Sequence, residues 1–312
     1  MEMTAQEIGG KIIRLRPLSV TVNRDYSVPA DSAVVYLAYS ADIEELKSVE
    51  ISEGGEVIFS GGTDVFEREF TQSGSYIRIE ARNIAGAMLS SEAKPTVYRA
   101  VSADIIFENH IKPFGAKGYF GEDRWLDGDF TVTKGMSEWQ VVREFCKKRF
   151  LSYPYFDPDG TVYFEPKRES ECARISFGRC TSVKEKRRRC SLVSKVFLKS
   201  ENEQDYKSFL QSDLALEKDV GSVRYMDVSQ TKLTPLECAD ELLRLTDEEY
   251  YSLEVVCPEY VGLYPGQAAK IDDERIDTDG GLFVQSVEYR FTNGSVRTKA
   301  VLKRRVRDFV DY

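Results

Sequence analysis

Residues 75–111, SYIRIEARNIAGAMLSSEAKPTVYRAVSADIIFENHI, decide how this chain is read. The stretch opens as a strand, because Ile77, Ile79 and Ala81 alternate with Arg78, Glu80 and Arg82. It crosses a small-residue segment, Asn83 to Ser91, whose size lets chain segments approach closely, and leaves through the stiff sequence Glu92-Ala93-Lys94-Pro95. It ends in an amphipathic helix that begins near Ser102, a suitable N-cap, and stops at Pro113. No nucleophile–base pair, metal-ligand spacing or phosphate loop occurs in it. So much local structure without chemistry points to a protein that is assembled rather than one that catalyses.

Upstream, residues 11–82 are strand-rich. Ser32 to Tyr39 is a run of Ala, Val, Tyr and Leu, and Ser48–Ile51, Glu56–Phe59 and Val65–Phe70 read as short strands. Gly54-Gly55 and Gly61-Gly62 read as the tight turns between them, so a small barrel or sandwich is expected, closing near Tyr98. Downstream, Ser137 and Gln140 form an S-x-x-Q capping box ahead of Val141–Arg149, with Trp139, Val142, Phe145 and Cys146 on one face. Asp157-Pro158-Asp159-Gly160 is a turn joining strands at 153–156 and 161–165. These elements form an α/β insert.

Beyond it, Val193, Val196 and Leu198, then Val223, Tyr225 and Asp227, alternate as strands, with a polar loop at 201–207 between them. Thr234-Pro235-Leu236-Glu237 is a second capping box, and Leu236, Ala239, Leu242, Leu243 and Thr246 make the buried stripe of the helix it starts, at about 235–247. Strands at 252–257, 267–271, 283–291 and 296–303 follow, the last two joined by Asn293-Gly294. The expected fold class is α+β, mainly β, with residues 1–98, 99–172 and 173–312 as three modules.

The 312 residues are 42% hydrophobic and 30% charged, which suits several packed modules rather than a disordered chain. No apolar run approaches the ~20 residues of a membrane span, and the acidic N-terminus has no signal-peptide core. Neither membrane insertion nor secretion is therefore expected. The net charge of -9 disfavours sequence-independent nucleic-acid binding, which needs a cationic face. The dense basic runs KEKRRR (184–189) and KRRVR (303–307) lack interleaved aromatics and read as solvated faces or as docking sites for an acidic partner. The six cysteines, at 146, 172, 180, 190, 238 and 257, form no C-x-x-C pair and read as buried reduced thiols. The single histidine, His110, lies on or beside the apolar face of its helix and reads as a packing residue rather than a base. Asp272, Asp273, Asp277 and Asp279 lack the spacing of a cation loop and read as a polar hairpin loop. No catalytic, cofactor-binding or metal-binding residue is assigned, and no cofactor or enzymatic activity is expected.

Two resemblances bear on function. The pattern V-x-x-G-x-S-x-W, at residues 132–139, resembles a LysM-type module, a family that binds N-acetylglucosamine polymers; this implies cell-wall binding as an alternative reading. A peptidoglycan hydrolase is a third, since acid pairs are defined in space and not by sequence. The wider resemblance covers nearly all the chain. RIEARNIAGAMLSSEAKPTVY (78–98), ENHIKPFG (108–115), the F-x-V-x-x-G-x-S-x-W helix and DPDG turn (130–160), YPGQAAKI (264–271), VQSVEYRF (284–291) and RTKAVLKR (297–304) together resemble baseplate hub proteins of contractile phage tails. That group includes the late control D proteins, the Mu-type hub and Firmicute prophage tail proteins, with the hub half of type VI secretion spike proteins as a distant relative.

The resemblance implies two small tail-tube-like β-barrels flanking the insert, and a homotrimer whose six barrels match the sixfold tail tube on one side and the threefold central spike on the other. It implies tube, spike and other baseplate proteins as partners, and a place in a tail particle assembled in the bacterial cytoplasm. DNA would pass through the lumen without specific binding, which acidic or neutral walls favour. The chain is short for the group and carries no C-terminal spike or lysozyme-like extension, so any cell-puncturing activity is expected of another chain.

Overall fold

The computed structural model describes residues 1–123, 125–126, 128–150, 152–165, 172–199, 205–227, 235–276 and 281–304. The chain is mainly β and falls into two compact units. The first comprises Met1–Glu171, Cys257–Gln267 and Gln285–Lys299, and the second Cys172–Val256, Ala268–Val284 and Ala300–Tyr312.

The first unit is built on strands β1 (Glu2–Glu7), β2 (Ile12–Leu15), β3 (Ser19–Asp25), β4 (Ser32–Ala38), β5 (Leu46–Glu53), β6 (Glu56–Thr71) and β7 (Gly74–Arg82). They pair in the order β3-β4-β7-β6-β5-β1-β2, all antiparallel. Residues 286–292 of the strand Leu282–Thr292 pair with β3 on its other side. The alternation in β7 turns Ile77, Ile79 and Ala81 inward as expected, and they meet Val35, Leu37 and Ala33 of β4 in a dry core.

Two expectations about residues 56–91 fail. Gly54-Gly55 is a turn, with φ of +58° and +88°, but Gly61-Gly62 is not: β6 runs through both glycines as one 16-residue strand. The reason is a change of partner. Up to Gly62 the strand pairs with β5, and from Gly62 to Thr71 with β7. At the crossing, a Cβ on Gly61 would lie 2.2 Å from the carbonyl oxygen of Arg82. The glycine is there for a close approach rather than a bend.

The small-residue segment is likewise not a plain crossing. It holds helix α1 (Ile84–Leu89), capped by Asn83, whose Oδ1 accepts from the Ala85 amide at 3.1 Å. Helix α2 (Ala103–Ile106) follows with Ser102 as its N-cap, then widens into a π turn, Phe107–Ile111, and a 3₁₀ turn, Lys112–Phe114, that takes in Pro113. Helix α3 (Glu138–Phe150) begins with the reciprocal capping box read from the sequence. The Ser137 amide donates to Gln140 Oε1 at 2.8 Å, and the Gln140 amide to Ser137 Oγ at 3.2 Å. Phe107, Ile111, Phe130, Trp139, Phe145 and Phe164 share one buried core among these elements.

In the second unit, Ser182–Arg187 pairs antiparallel with Tyr251–Cys257, and Ala173–Ser176 parallel with Ala268–Asp272. A separate three-stranded sheet is ordered Ser208–Gln211, Lys195–Lys199, Val223–Asp227. Helix α4 (Asp213–Glu217) is capped by Ser212, whose hydroxyl also donates to Asp247 at 2.8 Å. Asp247 belongs to helix α5 (Pro235–Glu248), which covers one face of that sheet through Ala239 and Leu243 against Val193, Val196 and Leu198. Leu236 is an exception to the expected stripe: it sits in the first turn of α5, outside this cluster, and is exposed. Thr234 of the second capping box lies outside the described residues.

Candidate functional site

The single histidine is held at both ring nitrogens. His110, in the π turn, is buried, with Nδ1 2.5 Å from Glu138 Oε2 of α3 and Nε2 2.9 Å from the Tyr98 hydroxyl. Burial pushes the Tyr98 hydroxyl above its ordinary pKa, so it stays protonated. The arrangement is a hydrogen-bonded strut joining the exit from β7 to α2 and α3. The ring is enclosed, as its spacing along the helix indicates, and it has two polar partners that the sequence reading did not find.

Trp139 is also interior, 3% exposed, with its ring centroid 6.1 Å from that of Phe156. A ring enclosed in this way cannot stack on a sugar, which removes the side chain on which a glycan-binding reading would rest. The cysteines do not follow their expectation as a set. Cys146 and Cys257 are buried, but Cys172 and Cys190 are exposed and Cys180 is half-buried; none of these five forms a disulfide. Of these five, the two that fall on inward-facing helix or strand positions are enclosed, Cys172 and Cys190 lie outside regular strands, and the side chain of Cys238 lies outside what is described. Among the described residues, no group of three or more His, Cys, Asp or Glu side chains could hold a metal ion. Asp273 is engaged by Arg275, whose guanidinium holds its carboxyl down to about 2, while Asp277 and Asp279 lie outside the described residues.

A buried ionic cluster anchors the insert to the sheet of the first unit. Arg24 of β3 is 5% exposed, lies 3.0 Å from Asp31 Oδ2, and has Asp157 of the DPDG turn at 3.7 Å. Burial works against its charge, but Asp31, Tyr289 and Asp157 outweigh that and hold its proton more firmly than water would. Beside the cluster is a cleft of about 280 Å³ lined by Tyr260, Tyr264 and Tyr289. A second cleft, of about 450 Å³, lies between Gly61-Gly62, Asn83, Phe114, Lys117 and Gly160.

What the surface offers is edges and faces. Beyond Gly62, β6 has β7 on one side and, among the described residues, no strand on the other, leaving an open edge along Val65–Thr71. Glu67 on it is exposed, Glu69 is half-buried and accepts from the Tyr76 hydroxyl while keeping acceptor capacity on its carboxylate, and Phe70 near its end is 64% exposed. In the second unit, Ser182–Arg187 ends its sheet, with Tyr251–Cys257 as its one neighbouring strand among the described residues. This is the first of the two basic runs; residues 305–307 of the other lie outside the described residues. On the three-stranded sheet, Phe209, Phe197 and Tyr225 form a cross-strand row with centroid separations of 5.6 and 5.3 Å. No helix among the described residues is long and apolar enough to cross a membrane.

No family model and no curated protein matches the chain. The likeness to known proteins is one of fold, and it extends over nearly the full length. A tail protein from Neisseria meningitidis MC58 superposes with a TM-score of 0.76 at 17% identity, covering 97% of this chain and 96% of that one. The 43 kDa tail protein of prophage MuSo2 from Shewanella oneidensis gives 0.75 at 13% identity, with 98% of each chain covered. An E. coli protein that is a component of the type VI secretion system, structurally similar to T4 tail proteins gp27 and gp5, gives 0.56 at 8% identity over 96% of this chain and 76% of that one.

Proposed function

We propose that this chain is a structural baseplate hub of a contractile tail or injection particle, a homotrimeric adaptor between a sixfold tail tube and a threefold central spike. The observation that carries the reading is the two-sided coverage of the fold likeness: the whole chain, not one module of it, aligns with whole phage tail proteins. The residues support it from the other direction. The polar clusters are consumed in struts and anchors, and the conspicuous surface features are unpaired strand edges and exposed aromatics, which serve assembly better than chemistry.

In this reading residues 1–98 and 173–312 are the two tube-like barrels and 99–172 the insert, which carries the LysM-like element as a packing device. The chain acts through symmetry matching rather than catalysis. Its partners are two further copies of itself, the tube protein, the spike protein and other baseplate proteins. Size-exclusion chromatography with mass measurement, followed by mixing with tube and spike proteins, tests it. A trimer that binds both supports the reading; a strict monomer at high concentration that binds neither overturns it.

A further inference from the structure

The basic run of residues 184–189 is left without a role by everything above, and the structure gives it an unusual setting. Ser182–Arg187 is an edge strand of six residues, with Lys184, Glu185, Lys186 and Arg187 all exposed. The backbone hydrogen bonds on its flanks, Thr181 N to Val256 O and Arg188 N to Tyr250 O, run to the same neighbouring strand. Its outer edge is therefore unpaired among the described residues. A charged edge is the usual protection against indiscriminate pairing, but charge of one dominant sign also selects a partner of the other sign.

The first unit holds such a partner. The open edge of β6, Val65-Phe66-Glu67-Arg68-Glu69-Phe70-Thr71, has no backbone bond outside its ladder with β7 among the described residues. The two edges are charge complements at strand spacing. Lys184 and Lys186 share one face of their strand, as Glu67 and Glu69 share one face of β6, because alternate residues point the same way. With Glu185 opposite Arg68, the two lysines fall opposite the two glutamates, whichever way the strands run. Glu67 is bound to Arg78 at 3.1 Å, an exposed pair that can be exchanged at little cost.

We propose that Ser182–Arg187 of one copy pairs with Val65–Thr71 of the next, extending the sheet from chain to chain and forming the seam of the ring. This rests on the trimeric reading given above and names its contact. The contact is heterologous, joining two different patches, which is the kind that closes a ring of three.

The test is a charge swap followed by sedimentation velocity. Lys184→Glu/Lys186→Glu and Glu67→Lys/Glu69→Lys, each confirmed as folded by circular dichroism, should each weaken trimer formation about tenfold or more. The chain carrying all four substitutions should recover to within about threefold of the wild type, since the pairs are remade with reversed sign. An equimolar mixture of the two double variants should form heterodimers and open alternating chains but no closed trimer, because each variant can then join only to the other and a ring of three cannot alternate. Amide exchange of the wild type should show protection of residues 65–71 and 182–187 that appears with trimer formation. A wild-type trimer that both double variants form equally well overturns the seam and leaves the hub reading intact. A wild type that remains monomeric overturns both.

Discussion

Gly61 allows the fold of the first unit to be tested at one atom. A Cβ there would lie 2.2 Å from the Arg82 carbonyl oxygen, 2.6 Å from its carbonyl carbon and 2.9 Å from Phe59 Cζ. The phenylalanine tip can swing away. The carbonyl cannot do so freely, because the next residue, Asn83, caps α1. Restoring an ordinary contact of about 3.4 Å needs a shift of about 1 Å between β6 and β7, and overpacking of this kind costs about 1–3 kcal/mol. The stiffer unfolded chain of an alanine variant returns up to about 1 kcal/mol, leaving a net loss near 1–2 kcal/mol for Gly61→Ala. With a urea m-value near 2 kcal/mol/M, the midpoint should fall by about 0.5–1 M.

Gly62→Ala is the control: its Cβ meets only the Lys47 carbonyl, at 4.0 Å, so its midpoint should move by no more than about 0.25 M, a change of about 0.5 kcal/mol. Both tryptophans, Trp125 and Trp139, belong to the first unit, so tryptophan fluorescence follows its unfolding without interference from the second. Equal midpoints for the two variants would refute the reasoning, since they would mean that the strand does not pass over Arg82 and breaks at the glycine pair instead.

Phe145→Ala should cost about 3–5 kcal/mol in the same assay, because its fully buried ring lies 6.2 Å from both Phe130 and Phe164 and a core relaxes only in part into the space such a ring leaves. Ser137→Ala removes the acceptor of the Gln140 amide and should cost about 1 kcal/mol, again read by urea titration. Burial pushes the Tyr289 hydroxyl from its ordinary 10 up to about 12, so its contribution to stability is complete below pH 10 and is lost as pH rises from 10 toward 12. That loss is on the order of 3 kcal/mol, and Tyr289→Phe, although less stable at neutral pH for want of the Leu263 bonds, should show a flatter decline over the same interval in urea titrations.

What the sequence discloses and what it hides divide along range. The alternation of Ile77, Ile79 and Ala81, the Ser137–Gln140 box, the DPDG turn and the Asn293-Gly294 hairpin are settled by neighbours within a few residues, and all appear in the structure where the pattern places them. Gly61 is misread because its constraint comes from Arg82, on another strand, and a glycine pair has the same local appearance in a turn and at a close crossing. Helix α1 is missed because Ala85, Gly86 and Ala87 carry little amphipathic signal; its evidence is the Asn83 cap and the fit of Gly86 against the Arg82 side chain. The burial of His110 is legible from spacing, whereas Glu138, twenty-eight residues away, is brought to it only by the packing of α3 on the π turn. The exposure of Cys172 and Cys190 is hidden for a related reason: a thiol is buried by its place in the fold, and composition does not carry that.

The same division applies to charge. With a net charge of -9, copies of this chain repel one another at long range, so self-assembly needs local places where the sign reverses. Composition alone leaves residues 184–189 as a solvated face or a docking site for an acidic partner. Their place in the fold favours the second. The side chains alternate between two faces of a strand, so the run is not one continuous cationic surface that could follow a phosphate backbone. It is a narrow edge with unused backbone hydrogen-bonding groups, a geometry that satisfies another strand and not a nucleic acid. The glycine crossing at residues 61–62 matters here as well. Had β6 ended there, β7 would itself be an edge strand with β4 alone beside it, and the acidic edge at 65–71 would not exist. One close approach between β6 and β7 thus underlies both the stability of the first unit and the surface that the proposed seam requires.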